Sequence, residues 1–357
     1  MEVYKHLCHT ARAATLWLVW KFKHKHPLLS DFKKKELFGS ERVFSSNMTT
    51  QGKEVPYLLT KEEAFTFLDN SLGICRSQVH AGGKSLDFLN DVIKGIKKSL
   101  PFTNINLLAG KFPDLTPEDF KYHILSGQGG TCIWINPFTK VILEQLGHIT
   151  YHIPGMNHPI IDRPIDKDTH ISTIVCDISY PGSRHLVDPG MRYPLYTAVP
   201  LDFERESPVY TFHKFKIKFF KTKNDILLLC IPLAPDPDTP VICDSNGERW
   251  QLMLEYRLSK QVAWSTFIGK WQEYVKRGSI FSKPFDSLLF STFLTEQLHV
   301  NIVCLDGQTH ATFYNLKDDT TERVTMKKTE LMDFFLEHYP QYSVKKLEKV
   351  FKFSKLI

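Results

Sequence analysis

Several features that define other protein classes are missing from this chain of 357 residues. Its seven cysteines form no CxxC pair and no other spacing typical of a metal site. It contains no internal repeat and no low-complexity segment. The apolar stretch near the N-terminus, Ala13–Trp20, is far shorter than the roughly 20 residues needed to cross a bilayer. These absences favour an ordinary globular protein that builds its own hydrophobic core.

A basic surplus is also missing from most of the chain. Residues 1–35 hold eight lysines and arginines against two acidic residues, which accounts for the whole net charge of +6. The other residues balance, with 37 basic and 37 acidic side chains. A nucleic-acid-binding body would carry a clustered positive excess. We therefore expect no nucleic-acid partner.

The cysteines indicate a reducing compartment. Their number is odd and their spacing irregular, and Cys176, Cys230 and Cys304 lie in apolar runs where cysteine acts as a small buried hydrophobe. We predict a cytoplasmic location, with a mitochondrial one as the alternative because the Trp-bearing stretch Ala13–Trp20 and the basic cluster after it are poor in acidic residues. The extension that contains them, residues 1–56, is predicted to be disordered or a targeting segment, and it is the only part expected to contact a membrane.

The pattern of apolar residues changes twice along the chain. It predicts helices over residues 61–70, 85–100 and 116–127, and a further helix over 138–146 that begins after Asn136-Pro137. Short β-type runs with turns between them follow from residue 148 to about 256, which indicates an antiparallel sheet or barrel. The last hundred residues mix short strands with a helix from 328 to about 339.

These changes divide the chain into four parts. We predict an N-terminal extension over residues 1–56, a helical domain over 57–147, a β domain over 148–275 and an α/β segment with a C-terminal tail over 276–357. The helical domain would carry a cysteine, and the β domain a histidine and an aspartate, that together form the candidate site.

Cys132, His170 and Asp188 have the order and residue types of a nucleophile, its base and the group that orients the base. Only a thiolate is a good nucleophile, and a histidine that takes the thiol proton supplies one. The pair Gly129-Gly130 would let backbone N–H groups approach a carbonyl oxygen, as an oxyanion hole requires. Taken singly, each residue is also compatible with a structural role, and a Cys/His/Asp metal site lacks a fourth ligand.

The same residues resemble the arylamine N-acetyltransferase family. The likeness covers roughly residues 60–357. It is carried by the motifs Gly129-Gly130-x-Cys132-x-x-x-Asn136, His170 and Val187-Asp188-x-Gly190, with support from the segments 86–106, 283–287 and 353–357.

The resemblance implies an α+β fold of three parts: an N-terminal helical bundle, a central antiparallel β-barrel and a C-terminal α/β lid around a catalytic core like that of cysteine proteases and transglutaminases. It implies acetyl-CoA as co-substrate, an aromatic amine or hydrazine as acceptor, and no metal. Cys132 would carry the acyl group as a thioester, His170 would transfer the proton and Asp188 would hold His170.

Four further residues take their expected roles from the resemblance alone. Phe102 and Met191 would line the acceptor pocket, Met191 in place of a phenylalanine that shapes this pocket in the family. Gly190 and Ser354 would lie near the cofactor.

Other positions depart from the family pattern. Gln128 stands where the family usually has an arginine, which is expected to remove a fixed charge near the cysteine. Thr131 and Trp134 replace an aromatic residue and a Glu or Gln, and Arg192 occupies a loop that has lost its second glycine.

The interval between His170 and Asp188 raises a geometric question. A symmetric hairpin that turns at Tyr180–Ser183 would pair Asp188 with residue 174 or 175, roughly 15 Å along the strand from His170 at about 3.3 Å per residue. We therefore expect an asymmetric loop or bulge between the two strands.

The departures leave three functions open. The first is acyl transfer from coenzyme A to an aromatic amine or hydrazine. The second is an amide synthase or hydrolase with the same triad and another acyl donor. The third is a non-catalytic binding protein of this fold.

Overall fold

The computed structural model describes residues 59–111, 117–157, 168–212, 215–232, 240–269, 288–305 and 308–353. All of them belong to one compact unit, Gln51–Ile357. The predicted extension, the segment 283–287, the helix cap expected at Thr116 and the cofactor residue Ser354 lie outside the described residues. No helix of the described part is long and apolar enough to cross a membrane.

The front of the chain is helical. Thr60 caps the first helix in a capping box with Glu63, and Ser85 caps the third by accepting a hydrogen bond from the Phe88 amide. The elements before the cysteine are α1 (Lys61–Phe67), a π-helical turn (Leu68–Leu72), α2 (Arg76–Gly82), α3 (Leu86–Ser99), β1 (Phe102–Thr103), a second π-helical turn (Leu107–Lys111) and α4 (Pro117–Leu125).

The prediction that the next helix begins after Asn136-Pro137 is wrong. Helix α5 spans Cys132–Gln145 and contains Pro137 in its interior. Proline has no N–H to donate to the carbonyl four residues earlier, which would leave the Ile133 oxygen without its helical partner. The Trp264 indole N–H donates to that oxygen at 3.2 Å instead. A distant side chain thus lets the helix begin at the cysteine.

The middle of the chain forms a curled antiparallel sheet, in agreement with the predicted fold class, while the predicted domain boundaries 148–275 stay a prediction. Its order is β5-β4-β3-β2-β10-β8-β7-β6, and β9 pairs with β10. The strands are β2 (Ile149–Asn157), β3 (His170–Cys176), β4 (Arg184–Val187), β5 (Val199–Pro200), β6 (Tyr210–Phe212), β7 (Phe215–Lys221), β8 (Ile226–Pro232), β9 (Val241–Cys243) and β10 (Arg249–Arg257).

One segment connects the two sides of this sheet. Residues 199–207 begin as β5 against β4 and end beside β7, where the Ser207 amide donates to the Phe219 carbonyl at 2.9 Å. The sheet therefore curls into a half-barrel, called the barrel below, around an apolar interior. Alternate strand residues fill it, among them Ile174, Leu186, Phe219, Leu229 and Tyr256.

The β3–β4 hairpin brings Asp188 close to His170 without a bulge. Thr173 pairs with Val187, so Asp188 follows opposite Ser172, not opposite residue 174 or 175. The connection between the two strands spans residues 177–183, not only the expected turn Tyr180–Ser183, and its centre lies earlier in the chain than the centre of that turn. His170 and Asp188 become diagonal neighbours about 7 Å apart along the sheet, a distance that long side chains can bridge.

The end of the chain forms a second antiparallel sheet, here called the lid sheet, with two helices on one face. Its order is β1-β11-β12-β13-β14, so β1 from the helical front completes the edge. The new elements are β11 (Leu289–Thr295), β12 (Leu298–Leu305), β13 (Gln308–Asn315), β14 (Thr320–Met326), α6 (Lys328–His338) and α7 (Val344–Phe353). Phe290 and Ile302 face the helices and pack with Phe335 and Phe351.

The prediction that Cys176, Cys230 and Cys304 are buried is confirmed for two of the three. All six cysteines in the described part of the chain are free thiols. Cys230 and Cys304 are buried as expected, and burial raises the pKa of Cys230 to about 12. Cys176 is only half-buried because it ends its strand.

Candidate active site

Cys132 is the first residue of α5 and is 8 % exposed. The helix N-terminus stabilises negative charge nearby, because its first amides have no acceptor within the helix. Helix α5 packs against β3, and the Asn136 amide nitrogen donates to the Ile171 carbonyl at 2.6 Å. The sulfur is thereby set beside the strand that carries His170.

His170 lies between the cysteine and the aspartate. Its Nε2 is 2.6 Å from Asp188 Oδ2, and the ring also shares a hydrogen bond with the Cys132 thiol. Because Nε2 is taken by the carboxylate, Nδ1 is the nitrogen left for the sulfur. The fold therefore brings the three predicted catalytic residues together in the order nucleophile, base and carboxylate.

The Asp188 carboxylate accepts hydrogen bonds on both oxygens. Asn136 donates to Oδ1 at 2.7 Å, while Ser172 and Tyr256 donate to Oδ2 at 2.8 and 2.9 Å in addition to His170. Burial opposes the charge, but His170 and these donors outweigh it and hold the pKa of Asp188 below its ordinary value. The carboxylate stays ionised at the base of the site.

Asp188 in turn controls the charge of His170. Burial would lower the pKa of this histidine, but Asp188 and then Cys132 outweigh burial and raise it well above its ordinary value. An imidazole that keeps its proton at neutral pH is the partner a thiolate needs. The arrangement can therefore hold a thiolate–imidazolium pair.

Gly190 lies directly over Cys132. A Cβ atom at this position would come within 2.8 Å of the Cys132 Cα and of Asn136 Oδ1. The Gly190 amide donates to that same Asn136 oxygen at 2.8 Å. Gly190 is buried and packs against the Cys132 backbone. Its predicted place beside a cofactor stays a prediction.

The oxyanion role expected for Gly129-Gly130 is wrong for the second glycine. The Gly130 amide donates to the Pro101 carbonyl at 3.1 Å, and the Gly130 carbonyl accepts from Thr103 at 3.0 Å. Both glycines are needed for close packing. A Cβ on Gly129 (φ 63°) would lie 2.0 Å from the Pro101 oxygen, and one on Gly130 would meet the Trp134 side chain at 2.7 Å.

The surroundings of Gln128 contain a charge even though this position has no arginine. This corrects the expectation that a fixed charge is lost here. The Lys346 ammonium from α7 donates to Gln128 Oε1 at 2.6 Å. The same oxygen lies 3.0 Å from His123 Nδ1, and the Gln128 Nε2 donates to Ser126. A cation from the far end of the chain therefore reaches this position.

Lys97 on α3 holds the loop after Asp188. Its ammonium donates to the carbonyls of Met191 and Tyr193 at 2.8 and 3.0 Å. Burial lowers the pKa of Lys97 to about 8, although Asp188 acts in the opposite direction. Arg192, between the two carbonyls, is exposed, and its guanidinium lies 3.5 Å from Asn301 Oδ1 on the lid sheet.

The predicted pocket residues lie in different places. Phe102 is half-buried on β1, beside Gly130 and opposite Ser291 of the lid sheet. Met191 is buried in the barrel interior, with its sulfur 3.7 Å from the Tyr256 hydroxyl. Contact of either side chain with a substrate stays a prediction.

A cavity of about 400 Å³ lies between α3, the barrel and the lid sheet. Neither Phe102 nor Cys132 lines it, but the wall residue His299 has its Nε2 3.1 Å from the hydroxyl of Ser291, which pairs with Phe102. The wall combines cationic and aromatic side chains, among them Lys94, Lys98, Tyr196, Phe293, His299 and Tyr314. Among the described residues, no group of His, Cys, Asp or Glu could hold a metal ion.

A family model for N-acetyltransferases matches residues 85–346, well over half of the chain and the whole of this site. The chain belongs to the arylamine N-acetyltransferase family. This confirms the resemblance and places the protein among acyl-transferring enzymes. A comparison with curated protein sequences finds no significant match.

Solved structures of arylamine N-acetyltransferases share the fold. The Salmonella typhimurium enzyme matches with a TM-score of 0.62 at 15% identity, over 84% of this chain and 100% of its own. The Mycobacterium tuberculosis enzyme gives 0.59 at 18%, over 82% and 99%. The Mycobacterium marinum enzyme, solved in complex with CoA, gives 0.57 at 18%, over 81% and 98%. The predicted fold class is confirmed.

The structure adds residues that the sequence analysis did not assign to the family site. Ser172 could have been found, because it follows His170 by two positions on a strand and so shares its face. Asn136 belongs to the family motif but had no role; its place on one helix face with Cys132, four residues earlier, follows once the helix is known to begin at Cys132. Tyr256 and Lys97 carry no local signal, since only the fold brings them to Asp188.

Proposed function

We propose that this protein transfers an acetyl group from acetyl-CoA to an aromatic amine or hydrazine through a thioester on Cys132. The observation that carries the proposal is the buried Cys132–His170–Asp188 array within a family of N-acetyltransferases. The solved relative in complex with CoA supports this choice of donor.

The first half-reaction follows from the charge state of the array. The Cys132 thiolate attacks the acetyl carbonyl of the thioester, forms the new carbon–sulfur bond and expels the coenzyme A thiolate. The His170 imidazolium gives its proton to that thiolate, so that coenzyme A leaves as a thiol. Asp188 holds the ring in place and stabilises its charge throughout.

The second half-reaction returns the enzyme to its starting state. The amine nitrogen attacks the acetyl carbonyl on Cys132, and the cysteine thiolate leaves. The now neutral His170 takes the proton that the nitrogen loses. A thioester suits this step because its thiolate leaves more readily than the nitrogen of the amide that forms.

We propose the cavity beside the lid sheet as the approach of the donor. The ammonium groups of Lys94 and Lys98 suit the phosphates of coenzyme A, and Tyr196 and Tyr314 suit a stacked ring. Lys98 also pairs with Glu296 at 3.0 Å, so Lys94 is the better residue to test. The change Lys94→Glu is expected to raise KM for acetyl-CoA severalfold and leave kcat within about twofold.

The deciding experiment is intact mass and peptide mapping after incubation with acetyl-CoA. We expect one acetyl group on Cys132, its loss when an arylamine such as aniline is added, and no adduct in Cys132→Ser. An adduct confined to another cysteine would refute the proposal.

Two alternatives give other outcomes. An amide synthase or hydrolase would take an acyl group from a different donor and leave acetyl-CoA unused; the exposed Arg192 beside the site motivates this reading. A non-catalytic binding protein would keep its cellular effect in Cys132→Ser. Rapid iodoacetamide labelling of Cys132 would argue against the binding protein.

The cytoplasmic location stays a prediction.

A further inference from the structure

The loop that leads into Cys132 is tied to the C-terminal end of the chain by three hydrogen bonds. We call residues 126–131 the nucleophile loop. The Gln341 side chain donates to the Gly127 carbonyl at 3.0 Å, and the Tyr342 hydroxyl donates to the Gln128 carbonyl. The third bond is the one from the Lys346 ammonium to Gln128 Oε1 at 2.6 Å.

These bonds lie in surroundings where their loss matters. Gln128 is 4 % exposed and Tyr342 is fully buried, so water cannot replace their partners at little cost. The Lys346 ammonium is charged and its Nζ lies 5.8 Å from the centre of the Tyr342 ring. A hydrogen bond from a charged donor is roughly twice as strong as a neutral one.

The nucleophile loop is held from two directions. On one side, Gly130 exchanges backbone hydrogen bonds with Pro101 and Thr103. On the other side, Gln128 is held by the residues before and within α7. Only four positions separate Gln128 from Cys132, so a tilt of the loop would move the start of α5. His170 belongs to the barrel and would not follow that motion.

We propose that Lys346 is a positioning residue for Cys132. Through Gln128 it fixes the nucleophile loop, and so it sets how well the Cys132 sulfur is aligned with His170, without contacting a substrate. The proposal rests on the proposed function only where acetyl transfer is the readout.

The test compares Lys346→Met with a conservative change and a matched control in the full chain. Lys346→Met keeps the length of the side chain and removes its charge and its donors. We expect the acetylation rate of Cys132 in a single turnover to fall about 10- to 100-fold, the cost of a misplacement of about 1 Å, with KM for acetyl-CoA within about twofold. Iodoacetamide alkylation of Cys132 should slow in parallel.

Two variants decide whether the effect belongs to this contact. Lys346→Arg keeps a cationic donor and should retain most of the rate. Lys345→Met removes the neighbouring, exposed lysine of the same helix and should leave both rates unchanged. Combined with Gln128→Ala, Lys346→Met should add little, because both changes break one contact.

The proposal is overturned if folded Lys346→Met keeps both rates within about twofold of native, if Lys345→Met loses as much, or if the double-variant losses multiply. Should Lys346→Met fail to fold, Gln128→Ala breaks the same contact from its other side and is expected to lower both rates at least severalfold; unchanged rates would overturn the proposal. If the native protein takes no acetyl group from acetyl-CoA, the proposed function fails, and the iodoacetamide comparison still decides the role of Lys346.

Discussion

The two halves of the site are held together by different forces. In the barrel half, Asp188 is fixed by hydrogen bonds from His170, Ser172, Tyr256 and Asn136, all in a buried setting. In the helical half, the backbone next to Cys132 is fixed by close contact, and hydrogen bonds from Tyr342 and Lys346 hold it farther back, at Gln128. Beside Cys132, Gly129 and Gly130 lie where a single added carbon would collide with a neighbour, and so does Gly190, a barrel residue that packs against the start of α5.

This difference teaches which changes each half can tolerate. A network of buried polar groups depends on every donor meeting an acceptor, so it is sensitive to a change of chemistry at constant volume. The close-packed glycine positions are sensitive to added volume and use no side-chain charge of their own. Substitutions that alter only one of these properties should therefore separate the two halves.

The largest effect is expected from Asp188→Asn, which changes chemistry at nearly constant volume. In every orientation, the new NH₂ group would face a donor, either Asn136 or the group formed by His170, Ser172 and Tyr256. We expect acetylation of Cys132 to fall about 10³- to 10⁴-fold, because His170 loses both its orientation and its counter-charge. The single-turnover rate measures this.

The pH profile distinguishes loss of charge from misfolding in Asp188→Asn. Asp188 raises the pKa of His170, so native His170 keeps its proton through the neutral range. Iodoacetamide alkylation of native Cys132 should therefore change little with pH there. Without the carboxylate the pKa of His170 falls, the imidazolium is lost at lower pH, and alkylation should become slow and rise with pH. A variant with the native profile would contradict the role given to Asp188.

The next effect is expected from Gly190→Ala, which changes volume without adding polarity. Its Cβ would lie 2.8 Å from the Cys132 Cα, so the helix start or the loop must move. We expect about a 10²-fold loss of the acetylation rate, while the pH profile of alkylation keeps its native shape because the charges remain. Gly269→Ala is the matched control, since no atom lies within 4 Å of the added carbon. Equal activity in both variants would show that close packing is not limiting.

The same contrast explains what the sequence could predict. The family motifs predict Cys132, His170 and Asp188, which the structure brings together, and the period of the strands would place Ser172 beside them. The start of α5 was misplaced because local rules read Asn136-Pro137 as a helix cap. The bond that lets Pro137 lie inside the helix comes from Trp264, more than a hundred residues later.

The register predicted for a symmetric β3–β4 hairpin is wrong for a related reason. Turn chemistry at Pro181-Gly182 suggested a tight turn, but the loop begins at Asp177, which adopts a left-handed conformation (φ 59°) that few residues other than glycine take. The contact between Lys346 and Gln128 was also beyond local rules. Its partners are 218 positions apart, and nothing near either residue predicts the other.

The smallest effect is expected from Tyr256→Phe, which removes one donor from Asp188 and keeps the ring. The ring still packs edge-on against His170, with centroids 6.0 Å apart, so the barrel interior should stay filled. One hydrogen bond to a carboxylate that retains three others contributes about 1 kcal/mol, or a severalfold change in the acetylation rate.

Combining Tyr256→Phe with Ser172→Ala sharpens the comparison between the halves. Both changes remove a donor from Asp188 Oδ2, which would then accept a hydrogen bond only from His170. Asn136 would still donate to Oδ1. We expect the double variant to lose more than the product of the single losses, since the first loss can be relieved by the remaining hydroxyl and the second cannot. Tyr256→Phe with Gly190→Ala should instead multiply, because one change acts on the polar network and the other on packing. Single-turnover rates for the two pairs decide this, and coupling of equal size in both would mean that the halves respond as one unit.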